Sequence, residues 1–289
     1  MSGADRSATA TDGAGYGEYS GQWRRPTVFY NTTVKWLVYA ALVAFVLGNL
    51  WLVRVSADRL LVGLENGAIL VSSMVPPEFG ISLHSRGIVV TDATLRIWNG
   101  MVETVAMSIV ATAVGVVISI PIAVMAAENL VPRPVYYVGR AILSISRAFH
   151  ELVVAIVVVV GFGALAGVIA LVFATPGFFS KLLAEDLEDI DEAQVDAIRS
   201  TGAGPLSVLA FGVLPQVVPR AVGLTIYRWD INVRAATILG VVGAGGIGNV
   251  LIRSFDRYDY AYSAAIILSI IAVVMVGEVL SAVARRRLQ

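Results

Sequence analysis

The chain contains no cysteine, two histidines and only two lysines, Lys35 and Lys181. Without cysteine there is no disulfide framework, no thiolate metal site and no thiol nucleophile. His84 and His150 stand far apart with no acidic cluster around either, so no histidine-based metal site is expected. A phosphate-cradling P-loop ends in Lys followed by Ser or Thr. Lys35 precedes Trp36 and Lys181 precedes Leu182, so the chain has no ATP site of that kind. Charge is also sparse: charged residues make up 15% of the chain, and 21 basic residues balance 21 acidic ones. Soluble proteins carry roughly 25%. The zero net charge leaves neither the cationic footprint of a nucleic-acid binder nor the self-repulsion of a disordered chain.

Apolar sequence is abundant. Of 289 residues 57% are hydrophobic, and the mean hydropathy is +0.78, which reads as a polytopic membrane protein. Residues 1–30, rich in Gly, Ser, Ala and Thr, lack the apolar stretch of a cleavable signal peptide and are expected to be a disordered tail. Arg24, Arg25 and Lys35 stand before the first apolar run, which places the N-terminus on the cytoplasmic side.

A helical span needs roughly 20 apolar residues. Trp36 to Val53 and Thr104 to Ala127 each supply one. Arg140 to Ser180 is long enough to cross twice, and Gly161-Phe162-Gly163, with Gly167 beyond, offers the reversal. The last spans run from about Val208 to Trp229, interrupted by Pro215 and Pro219, and from about Tyr262 to Val283. With six spans, Arg133, Arg140, the acidic loop after Glu185 and the terminal Arg285-Arg286-Arg287 all fall inside, in keeping with the positive-inside tendency. The expected fold is therefore an all-α integral membrane protein with both termini cytoplasmic. Its organisation is read as a tail (1–30), a first span with an external amphipathic segment (31–97) and a core (98–289). In Ser56 to Ile97, the apolar spacing from Leu60 to Met74 fits a helix lying on the outer membrane face or one packed on the other spans.

Gly243-Ala244-Gly245-Gly246-Ile247-Gly248 satisfies the GxGxxG pattern, but the pattern carries meaning only between a strand and a helix of a soluble βαβ unit. Between membrane segments these glycines read as close packing or re-entrant backbone. Glu185 to Pro215 reads EDLEDIDEAQVDAIRSTGAGPLSVLAFGVLP: an acidic start with Asp191 and Glu192 placed to open a short helix, Gly202 placed to end it, and a second apolar run. By itself that is a solvated loop.

Asp196-Ala197, Gly202 six positions after Asp196, and Leu214-Pro215 with the proline thirteen positions after Gly202 resemble the cytoplasmic EAA loop of ABC-importer permeases. The segments Ser146 to Leu152, Gly177 to Glu185 and above all Tyr227 to Gly248 resemble the phosphonate-type permeases, the transmembrane subunits of phosphonate and phosphite uptake systems. The likeness covers about Trp98 to the C-terminus. Asp196 stands where Glu is commoner, and Gly212 where an aliphatic residue often stands.

The resemblance implies a type I importer permease fold in the bacterial inner membrane and no catalysis by this chain. It implies a coupling loop at about 185–207, carried by Asp191, Glu192, Asp196, Ala197, Gly202, Leu214 and Pro215. The implied partners are a second copy, two ATPase subunits holding ATP and Mg, and an extracytoplasmic binding protein. Charged side chains are costly in a bilayer and usually face a cavity or a partner. Arg147, His150 and Glu151 form one such group, with Arg147 and Glu151 spaced to pair on one helix face. Arg228, Asp230, Asn232 and Arg234 form a second, with an excess positive charge. Both read either as a path for an oxyanion or as internal salt bridging near helix ends. Rival classes are an ion-coupled secondary transporter, against which no second copy of the Tyr227 to Gly248 pattern is found, and a membrane-embedded hydrolase, for which His150 lacks a suitably spaced serine.

Overall fold

The computed structural model describes residues 31–288, apart from 55, 85, 86 and 164. The proposed N-terminal tail lies outside the described residues. The chain divides into two compact units with the boundary between Glu65 and Asn66.

The first unit holds α1 (Thr32–Leu52) and the start of α2 (Ala57–Ser73). Large apolar side chains line α1 all round, from Trp36 and Leu37 to Phe45 and Trp51, as expected of a helix in lipid. The second unit takes up the rest of α2, then an antiparallel hairpin of β1 (Ile81–His84) and β2 (Gly87–Val90), paired from Ile81 with Val90 to His84 with Gly87. The sequence reading anticipated only helix here. The hairpin sits directly on the next helix, because Thr91 donates through its N–H and its hydroxyl to the Gly80 carbonyl, at 3.0 and 2.7 Å.

The following helices are α3 (Asp92–Ala126), α4 (Arg133–Ala148), α5 (Glu151–Phe162), α6 (Leu165–Glu188), α7 (Glu192–Ser200) and α8 (Pro205–Val208). A π-helical turn, Leu209–Val213, leads into α9 (Leu214–Val241), followed by α10 (Gly246–Asp256) and α11 (Tyr260–Leu288). Among the described residues five spans are long and apolar enough to cross a membrane, and six if α4 and α5, bent by 80°, count as one. The reversal falls at Gly163, at φ 53°, between α5 and α6. A second break, at Phe149 and His150, was not visible in the sequence because neither glycine nor proline marks it. Helices also outrun their expected ends: α3 starts at Asp92 rather than Thr104, and α9 continues past Trp229 to Val241.

Small residues set the core. Ala111, Ala155, Ala166, Ala170 and Ala236 gather with Leu171 and Leu239 where α3, α5, α6 and α9 meet. Gly115 of α3 faces Thr175 so closely that a Cβ there would lie 2.6 Å from the threonine Cβ, so α3 and α6 touch nearly backbone to backbone. A second cluster, with Phe179, Leu183, Leu187, Leu143 and Val217, ties α6 to α4 and α9. Towards the α6 end Glu188 accepts from the Glu128 N–H at 2.8 Å and pairs with Arg140 at 3.0 Å, pinning the α3–α4 loop to the start of the α7 segment. The outward faces stay apolar: Val157, Val160 and Val117 are largely exposed, as lipid-facing positions are.

Candidate functional site

The α7 segment is built by local chemistry. Asp191 caps the helix, its carboxylate accepting from the Ala193 N–H at 3.0 Å, and a carboxylate at a helix N-terminus is favoured by the macrodipole. Gly202 closes it at φ 77°, its N–H donating to the Arg199 carbonyl at 3.0 Å. Only Val195 is buried. It lies on Gly212 of the π turn, where a Cβ would come 3.4 Å from the Val195 Cα, so the glycine sets how closely α7 lies against that turn. Glu192, Asp196 and Ala197 face outward, and Asp196 pairs with Arg199 at 3.0 Å on the surface. Around α7, Leu206 (81% exposed) and Phe211 (71%) stand out with the exposed Leu214 and Pro215. An exposed charged helix is thus flanked by large exposed apolar side chains.

One residue of this site was missed in the sequence. The Gln216 side chain accepts from the Asp191 N–H at 2.9 Å and donates to the Gly212 carbonyl at 2.8 Å. It latches the N-terminus of α7 to the first turn of α9. Its only sequence signal is its position directly after Pro215.

The group at Arg147 differs from the sequence expectation. Ala148 ends α4 and His150 caps α5, its Nδ1 accepting from the Leu152 N–H at 3.2 Å. Arg147 and Glu151 therefore sit on different helices across the bend, and no ion pair joins them among the described residues. Glu151 instead lies 3.9 Å from His150 Nδ1. Arg147 is exposed and lays its stem across Gly177, where a Cβ would meet its Cγ at 2.7 Å. Beside it the Ser146 hydroxyl donates to the Phe173 carbonyl at 2.7 Å and accepts from the Gly177 N–H at 3.0 Å, bridging the α6 backbone across Pro176.

The second group separates into two arrangements. Residues two apart on a helix point to nearly opposite sides, and residues four apart to the same side. Arg228 and Asn232 both face inward: Arg228 Nε donates to Thr175 Oγ1 at 3.3 Å, and Asn232 Nδ2 donates to Thr112 Oγ1 at 2.8 Å. Asn232 is fully buried, and its Oδ1 has no hydrogen-bond partner among the described residues. Asp230, also buried, pairs with the half-exposed Arg234. The two arginines flanking one acid separate into two contacts: the acid is matched to Arg234, and Arg228, held by a neutral threonine of α6, keeps the positive charge in excess. These residues lie in the middle of α9, not near its end.

After α9 the chain reverses through Gly243, Gly245 and Gly246, all at positive φ. A Cβ on Gly246 would overlap Thr104 Oγ1, the atom that accepts from the Ile247 N–H at 2.9 Å, and one on Gly248 would overlap the Thr237 carbonyl. The GxGxxG pattern here is a crossing of backbones between two helices.

A family model described as "Binding-protein-dependent transport system inner membrane component" matches residues 119–289. The chain is 42% identical over 234 residues to a phosphite transport system permease, PtxC, of Stutzerimonas stutzeri, covering 80% of each. It is 39% identical to a phosphate-import permease, PhnE, of Mycolicibacterium smegmatis, over 76% of this chain and 40% of that one. Among solved structures, a chain of the inward-facing MetNI methionine ABC transporter superposes with a TM-score of 0.60 at 21% identity, covering 70% of this chain and all of that one. That likeness speaks to fold alone. The chain belongs to the inner-membrane permease components of binding-protein-dependent ABC transport systems.

Proposed function

We propose that this chain is the membrane-spanning subunit of an ATP-driven importer that carries phosphite or a related phosphonate oxyanion into the cell. The observation that carries the substrate class is the 42% identity to the phosphite permease over 80% of both chains. The chain pairs with a second copy of itself, with both termini in the cytoplasm. Each α7 docks on one of two separate ATPase subunits, which hold ATP and Mg, and a binding protein delivers the anion from outside.

The geometry supports this division of labour. The outer face of α7 is exposed and charged, while Val195 and Gln216 couple it to α9. Movement of α7 as the ATPases close therefore passes to the helix that carries Arg228, Asp230, Asn232 and Arg234, and a two-state rearrangement of packed helices exchanges access between the two sides. The glycine turn after α9 serves as re-entrant backbone beside that path. Arg147, His150 and Glu151 at the α4–α5 bend line the same route.

The test is to purify the chain with its ATPase and binding protein and to measure ATP hydrolysis with phosphite, methylphosphonate, phosphate, sulfate and methionine. Stimulation by phosphite or a phosphonate supports the reading; stimulation by methionine or sulfate alone contradicts it.

A further inference from the structure

A cavity of about 820 Å³ lies at the opposite end of the second unit from α7. Its place follows from α3, whose 35 residues span about 52 Å at about 1.5 Å each. At the far end of α3, Glu128 bonds to Glu188 just before α7, whereas the cavity opens at its first turns. Four elements build it, the first being the start of α3 with Ala93 and Arg96. The segment Pro76–Ile81 is fixed by the Glu78 N–H donating to the Ala261 carbonyl at 3.0 Å. The start of α11 is held to α3 by the Tyr262 hydroxyl, which donates to the Ala93 carbonyl at 2.8 Å. The last turn of α10 forms the remaining wall.

Three arginines converge on this cavity: Arg96 from α3, and Arg253 and Arg257, one helical turn apart at the end of α10. None of them has a carboxylate within ion-pair distance among the described residues. The lining also holds two acids, Glu78 and Asp259, so the three arginines leave one positive charge in excess; Asp259 accepts from the Tyr262 N–H at 3.2 Å. Elsewhere in this unit Arg140, Arg220 and Arg234 are matched to acids, whereas Arg147 and Arg228 are without one among the described residues. The cavity volume falls within the range of roughly 300–1,000 Å³ typical of small-ligand sites, and guanidinium forks match tetrahedral oxyanions with paired N–H donors.

We propose that this pocket binds a phosphorus oxyanion, receiving it at the outer mouth before it enters the membrane path. The assignment of the outer mouth rests on the cytoplasmic placement of α7; the assignment of the ligand class rests on the arginines. Arg253 and Arg257 grip the anion, Arg96 closes the third side, and Asn249 in the same lining offers a neutral donor.

The test uses the permease with its ATPase in phosphatidylcholine nanodiscs, without binding protein, and reads the ³¹P line width of added phosphite. The wild type is expected to broaden the line, and Arg253→Gln with Arg257→Gln to bind roughly tenfold more weakly, as loss of charge-assisted hydrogen bonds gives. Arg133→Gln, outside the pocket, should leave the broadening unchanged. Phosphatidylglycerol added to the nanodisc separates the sources: competition with phosphite shows that an anionic headgroup uses the same pocket, and no competition shows a site for the free anion. Either result supports a phosphorus-oxyanion pocket. Equal broadening by the double variant overturns it. So does the absence of broadening in a complex that transports phosphite. A complex that broadens phosphite through these arginines yet fails to transport any phosphorus oxyanion leaves the pocket standing and overturns the transport reading instead.

Discussion

Gln216 accepts a hydrogen bond from the Asp191 backbone N–H at 2.9 Å, and by that contact α7, the helix proposed to meet the ATPase, is fastened to α9, which carries Arg228, Asp230, Asn232 and Arg234. Gln216→Leu keeps the shape and removes the acceptor. Because this site is half open to water, the stability cost should be small, about 1 kcal/mol, while transport per ATP hydrolysed should fall several-fold with membrane abundance unchanged. Measuring uptake and phosphate release in the same vesicles checks it; an unchanged ratio would show that the latch transmits nothing.

Arg234 is expected to matter first for stability. It half-covers a buried carboxylate, Asp230, and Arg234→Gln strands that charge. Breaking a fully buried pair costs roughly 3–5 kcal/mol; with Arg234 itself half-exposed, about 2 kcal/mol is expected. The double change Asp230→Asn with Arg234→Gln should recover most of it, as read by thermal unfolding in detergent. Arg147→Gln, by contrast, strands no partner and should leave the melting temperature nearly unchanged.

That order reverses what spacing alone implies, and the reason is physical. Arg147 and Glu151 stand at helical spacing in the sequence, but a helix break between them, unmarked by glycine or proline, turns them apart. The spans and the reversal at Gly163 were legible because hydropathy and glycine are local signals. The two faces of α9 were legible only in principle: a two-residue step between Arg228 and Asp230 puts them on opposite sides, yet which side meets Thr175 and Thr112 depends on tertiary packing. The Gln216 latch left no pattern to read, since it depends on a contact with Asp191, 25 residues earlier in the chain.

Gly202 offers a test that separates conformation from space. Its φ of 77° favours glycine, but no atom lies within 4 Å of where a Cβ would stand. Gly202→Asn, which tolerates this backbone region, should retain coupling, whereas Gly202→Val should lose it through roughly 1–2 kcal/mol of local strain. Equal behaviour of the two variants in ATP-coupled uptake would mean that the turn geometry is not what matters.

Sidedness can be read directly in this cysteine-free chain. A cysteine introduced at Gln194, exposed on α7, should resist an impermeant thiol reagent in intact cells and react once the membrane is opened. Strong labelling from outside would invert the topology.

The measurement that bears most directly on the central claim is phosphite uptake into proteoliposomes containing this chain, its ATPase and its binding protein. Phosphite should accumulate only when ATP reaches the ATPase face and the binding protein is present on the opposite face, and Gly202→Arg should abolish accumulation while the permease remains in the membrane. Accumulation without ATP, driven by an ion gradient alone, would contradict the account.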